Sequence, residues 1–583
     1  MSITREGIWA ALPNTARGQT THLSYDAKND RIAYAAGKSI FIRPVEEPEK
    51  ARQFTGHLSL ATVATFAPSG FYIASGDESG NVKIWDTMGD DLIVKGEYQV
   101  INGRINDIAW DADSQRVIAV GDGKERYGHA FTWDSGNTVG EISGHSAQIN
   151  AVAIRPVRPY RAATVADDSA LVFYHGPPFR FDSSVRGNHT NFVRDVKYSP
   201  DGVHLVSVGS DRNIVVYDGK TGEFLKKIGQ GEHQGGIYAV SWVDNEKFVT
   251  SSGDATVKLW NVTSGELLKT WTFEKTLENH QVGVVATKKY IISLSFSGNL
   301  NYLTEDSEEA VKIIRGHQKS ITASLVSEQE LYTGSYDGRI SKWDLKTGAA
   351  TYEKAHENLV IGFTFSQGSI YTTGWDDKLQ TLDSSLVAEI PSQPKGVSSN
   401  DEITTVLTEE AIIAYKKDVV EFTTKLNSTA TAIGTSADYV AVGFQNNALS
   451  VYSAKDGSKL FDLPSGRSAP SCIAFSPNGI YLAVGDVSGK IVLYNIETKE
   501  TVTSRWAFHT GRINSIEWNE DNNHVVSGSL DTNIIIYQVE KPMKNIKFLN
   551  AHKDGVNTVQ WISSTEIVSG GNDATVKKWS IKY

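Results

Sequence analysis

The stretch "SITASLVSEQELYTGSYDGRISKWDLKTGAATYEKAH", Ser320 to His356, decides the fold. It separates into four runs, "SITASLVS", "ELYTGSYD", "RISKWDLK" and "ATYEKAH". Each run alternates apolar with polar residues or is apolar throughout, with turn residues between. That is the pattern of consecutive β-strands, and no 3.6-residue helical period competes with it. The third run has close copies elsewhere: "SGNVKIWD" from Ser79, "SDRNIVVYD" from Ser210, "GDATVKLWN" from Gly253, "VSGKIVLYN" from Val487, "LDTNIIIYQ" from Leu530 and "NDATVKKWS" from Asn572. Weaker copies begin at Lys38, Gly128, Asp168, Ser297, Asp376, Lys416 and Asn446, which makes fourteen repeats.

A lone four-stranded sheet cannot bury both faces, so such units must stack in a ring. Dividing 583 residues by fourteen gives about 42 per unit, inside the ~40–45 of WD repeats. Propellers hold about four to eight blades, so fourteen units predict an all-β chain with two seven-bladed WD40 propellers in tandem. The boundary falls near Gly316, giving propellers over 17–316 and 317–583. The last unit stops after its third strand, at Tyr583, and lacks an outer one. "TREGIWAALP", Thr4 to Pro13, has strand character and no unit of its own. Residues 1–16 are therefore expected to close the last blade of the C-terminal propeller.

Composition narrows the function classes. The net charge of -11 and pI near 5.7 argue against a nucleic-acid surface, which needs a basic stripe. Cys472 is the only cysteine, so no intramolecular disulfide and no cysteine-based zinc site is expected. The first residues lack the apolar core of a signal peptide, and no apolar run approaches the ~20 residues that span a membrane. The expectation is a cytoplasmic protein that touches neither membrane nor nucleic acid. "NVT" at Asn261 and "NST" at Asn427 then read as chance matches to a glycosylation pattern.

Several units carry His, Ser or Thr, Asp and Trp in order: His317, Thr333, Asp337 and Trp343 in the eighth, His552, Ser569, Asp573 and Trp579 in the fourteenth. Ser, His and Asp together suggest a hydrolase. Their recurrence argues instead for structure, because an enzyme needs one copy. In WD repeats His bonds Asp while Ser and Trp bond His, and pairing of this kind satisfies buried polar groups. Tyr replaces Trp in some units, and in the second Ser79 stands where Asp is expected. No phosphate loop, zinc-protease motif or dinucleotide fingerprint occurs. No enzyme activity, cofactor or metal is expected.

One unit breaks the pattern. In "GDGKERYGHAFTWD", Gly121 to Asp134, twelve steps separate Gly121 from Trp133, against nine from Gly334 to Trp343. Tyr127 occupies the place of the turn Asp. This stretch, with "TARGQTTHLSYD", "SGFYIASGDESGNVKIWDT", "DDSALVFYHGPPFRF" and "FHTGRINSIEWNEDN", resembles the actin-interacting protein 1 family, also called WD-repeat protein 1, and the whole chain resembles a fungal member. The resemblance implies a non-catalytic, monomeric cofactor that binds cofilin-decorated actin filaments. It would enhance cofilin-mediated severing and depolymerisation, limit barbed-end growth, and work at cortical actin structures. It assigns partner binding to Glu125, Asp167 and Phe181, with Arg180 beside Phe181 and Phe192 as a further aromatic. The residues themselves allow plainer readings: a solvated Glu125, a turn Asp at 167, and Phe179 and Phe181 alternating onto one core-facing side. Asp168 is assigned to the structural set. The alternative function is a generic WD-repeat scaffold or ubiquitin-ligase substrate receptor.

Overall fold

The computed structural model describes residues 2–354, 356–383 and 385–583. Its strands form fourteen four-stranded antiparallel sheets, and a single short turn at Leu277–Asn279 is the helical content among the described residues. These are the blades of two seven-bladed WD40 propellers. In chain order the blades cover 24–54, 61–99, 103–141, 149–185, 193–228, 237–272 and 281–314, then 321–354, 360–389, 394–425, 430–463, 470–506, 513–548 and 556–582. The chain divides into two compact units, Leu12–Gln318 and a unit made of Met1–Ala11 with Lys319–Tyr583. The sequence reading placed these breaks after residues 16 and 316.

Blades stack because both faces of each sheet are apolar. The core between blades three and four joins Ile118, Val120 and Ala130 to Val152, Val172 and Tyr174. Polar stitches at the inner strands add register. The bulged residue of an inner strand donates to the first carbonyl of the next one: Asn106 to Ile149 O at 2.9 Å, Asn150 to Val193 O at 2.8 Å, Asn514 to Val556 O at 2.9 Å. Asn557 makes the same bond to Ile321 O at 2.8 Å, which brings blade fourteen against blade eight and closes that ring. In the N-terminal ring the Thr21 amide donates to Val282 O at 3.0 Å, joining blade one to blade seven.

The segment Ser2–Trp9 is the outer strand of blade fourteen, antiparallel to Val576–Lys582 with Ile3 opposite Ile581 and Trp9 opposite Val576. Ile3 packs with Ile546 and Trp579. Trp9 stacks on Trp343 with ring centroids 5.4 Å apart.

Candidate functional site

Antiparallel order within each blade sends two kinds of connection to the same face: the loop between strands two and three, and the link from the outer strand to the next blade. On the N-terminal ring this face gathers the loop 124–127, Asp167 and Phe192. The residue following strand two is held there by its backbone. Glu78 N donates to Leu60 O at 2.9 Å, Asp167 N to Gln148 O at 3.1 Å, and Ser210 N to Phe192 O at 2.8 Å.

Glu125 owes its position to a lengthened hairpin. Strands Gly103–Trp110 and Arg116–Gly123 continue the ladder outward, pairing Gly103 with Gly123, Arg104 with Asp122 and Ile105 with Gly121. The Lys124–Glu125–Arg126 tip is exposed beyond them. Gly121 lets the strands approach, since a Cβ there would collide with the Arg104 carbonyl oxygen, and one on Gly123 would strike that of Arg126. The Gly121 amide donates to Tyr127 O at 2.8 Å, and the Tyr127 ring rests against the core shared with blade four. Tyr127 thus roots the loop where other blades use a turn Asp. Glu125 and Arg126 border an open groove with Gln99, at the end of blade two, and Asn102, in the link that enters blade three.

Asp167 is more firmly engaged. Its carboxylate accepts from Gln148 Nε2 at 2.7 Å and Asn150 Nδ2 at 2.8 Å, with Arg194 Nη1 at 3.9 Å. Arg194 donates to Ser210 Oγ at 2.8 Å and places its guanidinium 5.1 Å from the centre of the Phe192 ring. The ring itself is 41% exposed. Asp167, Arg194 and Phe192 therefore form one connected set bridging blades four and five at the polar mouth of the central channel, which Arg104 and Asn106 also line.

Arg180 and Phe181 stand apart. They begin the outer strand of blade four, Arg180–Val185, opposite His175 and Tyr174, at the end away from the loop face. The Phe181 ring reaches back toward Gly144 in the link entering that blade, where a Cβ would meet it. The expectation that Phe179 and Phe181 share a core-facing side is corrected. Phe179 is buried, with its amide bonded to Val139 O at 2.8 Å, whereas Phe181 is 48% exposed. Phe179 precedes the strand and bridges to Gly140 of blade three, whereas Phe181 lies in the ladder opposite Tyr174.

The His–Asp sets are structural wherever they occur. In blade fourteen His552 Nδ1 lies 2.8 Å from Asp573 Oδ1 and Nε2 2.7 Å from Ser569 Oγ, while the Trp579 indole donates to Ser569 Oγ at 2.8 Å. The indole thus bonds the hydroxyl and not the imidazole, which corrects the expected wiring. In blade eight Trp343 donates to Thr333 Oγ1 at 2.7 Å and Asp337 accepts from Ser335 Oγ at 2.6 Å; His317 is fully buried in the N-terminal unit. Asp168 joins His145 at 3.0 Å, and Thr164 completes that set with Tyr174. In blade two the Asp is present after all. Asp77, not position 79, bonds His57 at 2.9 Å and also caps the turn through the Ser79 and Asn81 amides.

Among the described residues one trio could hold a metal ion, His22 with Asp107 and Asp195 in the N-terminal channel. Its oxygens are already engaged. Asp107 accepts from the Ile108 and Val152 amides and Asp195 from those of Val196 and Val240, and Lys197 Nζ lies 3.7 and 3.4 Å from the two carboxylates. Burial alone would lower the Lys197 ammonium, but the two aspartates outweigh it and hold its pKa above the usual value. This is an ionic bolt across blades three to six.

Sequence reasoning overlooked Arg194, Gln148 and Asn150, and also Leu58 and Leu60, which are 81% and 45% exposed on the link into blade two. The asparagine that recurs near the start of inner strands, at 106, 150, 514 and 557, was the available signal for Asn150.

Fold and repeated side-chain sets together define a tandem-propeller WD-repeat protein. The WD domain, G-beta repeat family matches residues 48–86, 183–218, 223–261, 308–344, 457–495, 500–538 and 543–580. An uncharacterized WD repeat-containing protein of Schizosaccharomyces pombe is 41% identical over 100% of both chains. Actin-interacting protein 1 of Drosophila melanogaster is 35% identical over 99% of this chain and 98% of its own. WD repeat-containing protein 1 of Xenopus tropicalis is 35% identical over 99% of each. The chain belongs to the actin-interacting protein 1 family, whose members are also named WD repeat-containing protein 1.

Proposed function

We propose that this protein binds actin filaments decorated with cofilin and promotes their severing and disassembly, as a monomer and without catalysing a reaction. The observation that carries the reading is the end-to-end likeness to relatives named for interaction with actin. Cofilin dependence, a limit on barbed-end growth and work at cortical actin structures follow from the family resemblance. The absence of catalysis is supported by the His–Asp sets, which recur from blade to blade with their polar atoms spent on one another. The N-terminal loop face suits a filament contact: Phe192 offers a partly exposed aromatic anchor, and Glu125 an exposed charge that orients the encounter.

Co-sedimentation with filaments, with and without cofilin, tests the reading. Cofilin-dependent pelleting is expected, and equal recovery in the supernatant under both conditions rejects it in favour of a scaffold or ligase receptor. A Glu125→Ala, Asp167→Ala, Phe181→Ala triple variant should stay folded and lose most of the enhancement of severing. Full activity of that variant rejects these residues as the contact.

A further inference from the structure

The position that holds Asp167 on the N-terminal ring has equivalents on the C-terminal one. Each follows strand two, and each has its amide clamped to the neighbouring link: Tyr336 N to Ser320 O, Trp375 N to Leu359 O, Val487 N to Ala469 O and Leu530 N to Arg512 O, all within 2.9–3.1 Å. The side chains are 56%, 40%, 46% and 51% exposed. Only Asn572, of blade fourteen, interrupts a continuous run from blade twelve round to blade nine. The fold does not require apolar residues here, because the N-terminal ring fills the same place with Glu78, Asp167, Ser210 and Gly253, and with an apolar residue only at Phe296 among the positions so bonded. Nor do the four belong to any of the buried clusters between blades. Four large apolar side chains held in water at one repeated position are a cost that contact with a partner would relieve.

Charge on the same face selects the partner. Arg467 and Arg512 lie exposed in the links that clamp Val487 and Leu530, and Lys319 lies exposed beside the link that clamps Tyr336. None of the three forms an ion pair among the described residues. Two nearby carboxylates are committed to turns, while Asp554 lies exposed in the link entering blade fourteen. Asp486 accepts from the Ser488 and Lys490 amides, and Asp531 from His509 and the Thr510 amide. Toward Trp375 the balance changes, with Glu357 exposed in the following link.

We infer that the loop face of the C-terminal ring, from Val487 through Leu530 to Tyr336 and Trp375, is a docking surface for an extended segment of another protein that alternates apolar and acidic side chains. Apolar residues would cover the four positions while carboxylates meet Arg467 and Arg512. Screening by salt should weaken the contact, since its charges lie at the surface.

Fluorescence anisotropy on the full-length protein provides the test. Two labelled peptides of about twelve residues, long enough to span ~40 Å when extended, alternate Leu or Phe with Asp in one case and with Lys in the other. The acidic peptide is expected to bind saturably. Its affinity should fall about tenfold or more in an Arg467→Glu, Arg512→Glu variant and in a Val487→Ser, Leu530→Ser variant, a loss on the scale of removing interface anchors. The lysine peptide should bind far more weakly to the unaltered protein. Equal binding of the two peptides, indifference of the acidic one to both variants, or no saturable binding at all overturns the inference. Melting curves establish that the variants are folded; if charge reversal unfolds the chain, Arg512→Gln carries the same comparison.

Discussion

Glu125 and Asp167 are both acidic residues of strand-two-to-three loops, yet their surroundings give them different consequences on substitution. Glu125 sits on an exposed tip, so Glu125→Ala should leave the melting temperature unchanged while reducing filament disassembly. Asp167 serves Gln148 and Asn150 as acceptor, and Asp167→Ala should cost about 1–3 kcal/mol because those donors lose their partner. Urea unfolding of the two variants separates an exposed side chain from one that orders the face. Glu517, on the inner strand of blade thirteen, shows the reverse case. Its Oε2 is sealed from solvent without a hydrogen-bond partner among the described residues, and burial raises the carboxyl well above its ordinary 4.5. The unfolded chain then ionises first, so stability falls as pH rises above 4.5. Glu517→Gln should melt higher than the unaltered protein at pH 7, with the gap closing toward pH 4. A gap that widened in acid would contradict this assignment. Such details were hidden from the sequence: Asp77 reaches His57 from the end of a strand, two residues before Ser79, where the Asp was expected.

The extended hairpin of blade three and the closing strand of blade fourteen are the two elements that depart from the repeat, and both left a trace in the sequence. The three additional residues of "GDGKERYGHAFTWD" were visible as an irregular spacing. That they lengthen two paired strands and root the loop on Tyr127 was not, because strand register is a property of the pair. Gly121→Ala should distort this platform, costing about 2 kcal/mol or more, since backbone and not a yielding side chain blocks the added Cβ. Unfolding in urea together with a severing assay would register both losses. The strand Ser2–Trp9 was legible as a spare apolar segment facing an incomplete last unit. Removing residues 1–13 uncovers the places where Ile3, Ile8 and Trp9 are buried, each worth about 1.5–3 kcal/mol. The C-terminal ring should then unfold at lower temperature, and a truncated chain melting like the full one would refute the role assigned to the strand. The positions of Phe179 and Phe181 were misread for a related reason: Phe179 lies before the strand begins, so the alternation that sequence periodicity assumes does not extend to it.

Across the whole molecule the His–Asp sets give both rings a shared acid sensitivity. Burial alone would raise the carboxyls of Asp211 and Asp531, but bonds from His189 and His509, with the Thr190 and Thr510 amides, outweigh it and hold each at about 2. Carboxylates so depressed contribute stability above their ordinary 3.8 that is lost as pH falls through about 2. Burial also lowers the pKa of His356 and His552 despite their aspartate partners, so protonation of these rings favours unfolding as pH drops below 6.5. Circular dichroism across pH should show the C-terminal unit losing stability below 6.5 and both units losing it below 3.8; a flat profile down to pH 2 would exclude this account. At this scale the sequence was most informative, because fourteen repetitions average out local irregularity, whereas a binding face depends on single exposed side chains that no repeat reinforces. The pairing of Ser2–Trp9 with Val576–Lys582 also sets an order of events at the ribosome. The strand that seals the C-terminal ring is made before its partner strand, with the entire other ring made in between. The nascent chain must therefore carry an unsatisfied strand edge through that interval, and slowed translation within it would lengthen the time in which that edge is available to chaperones or to another copy.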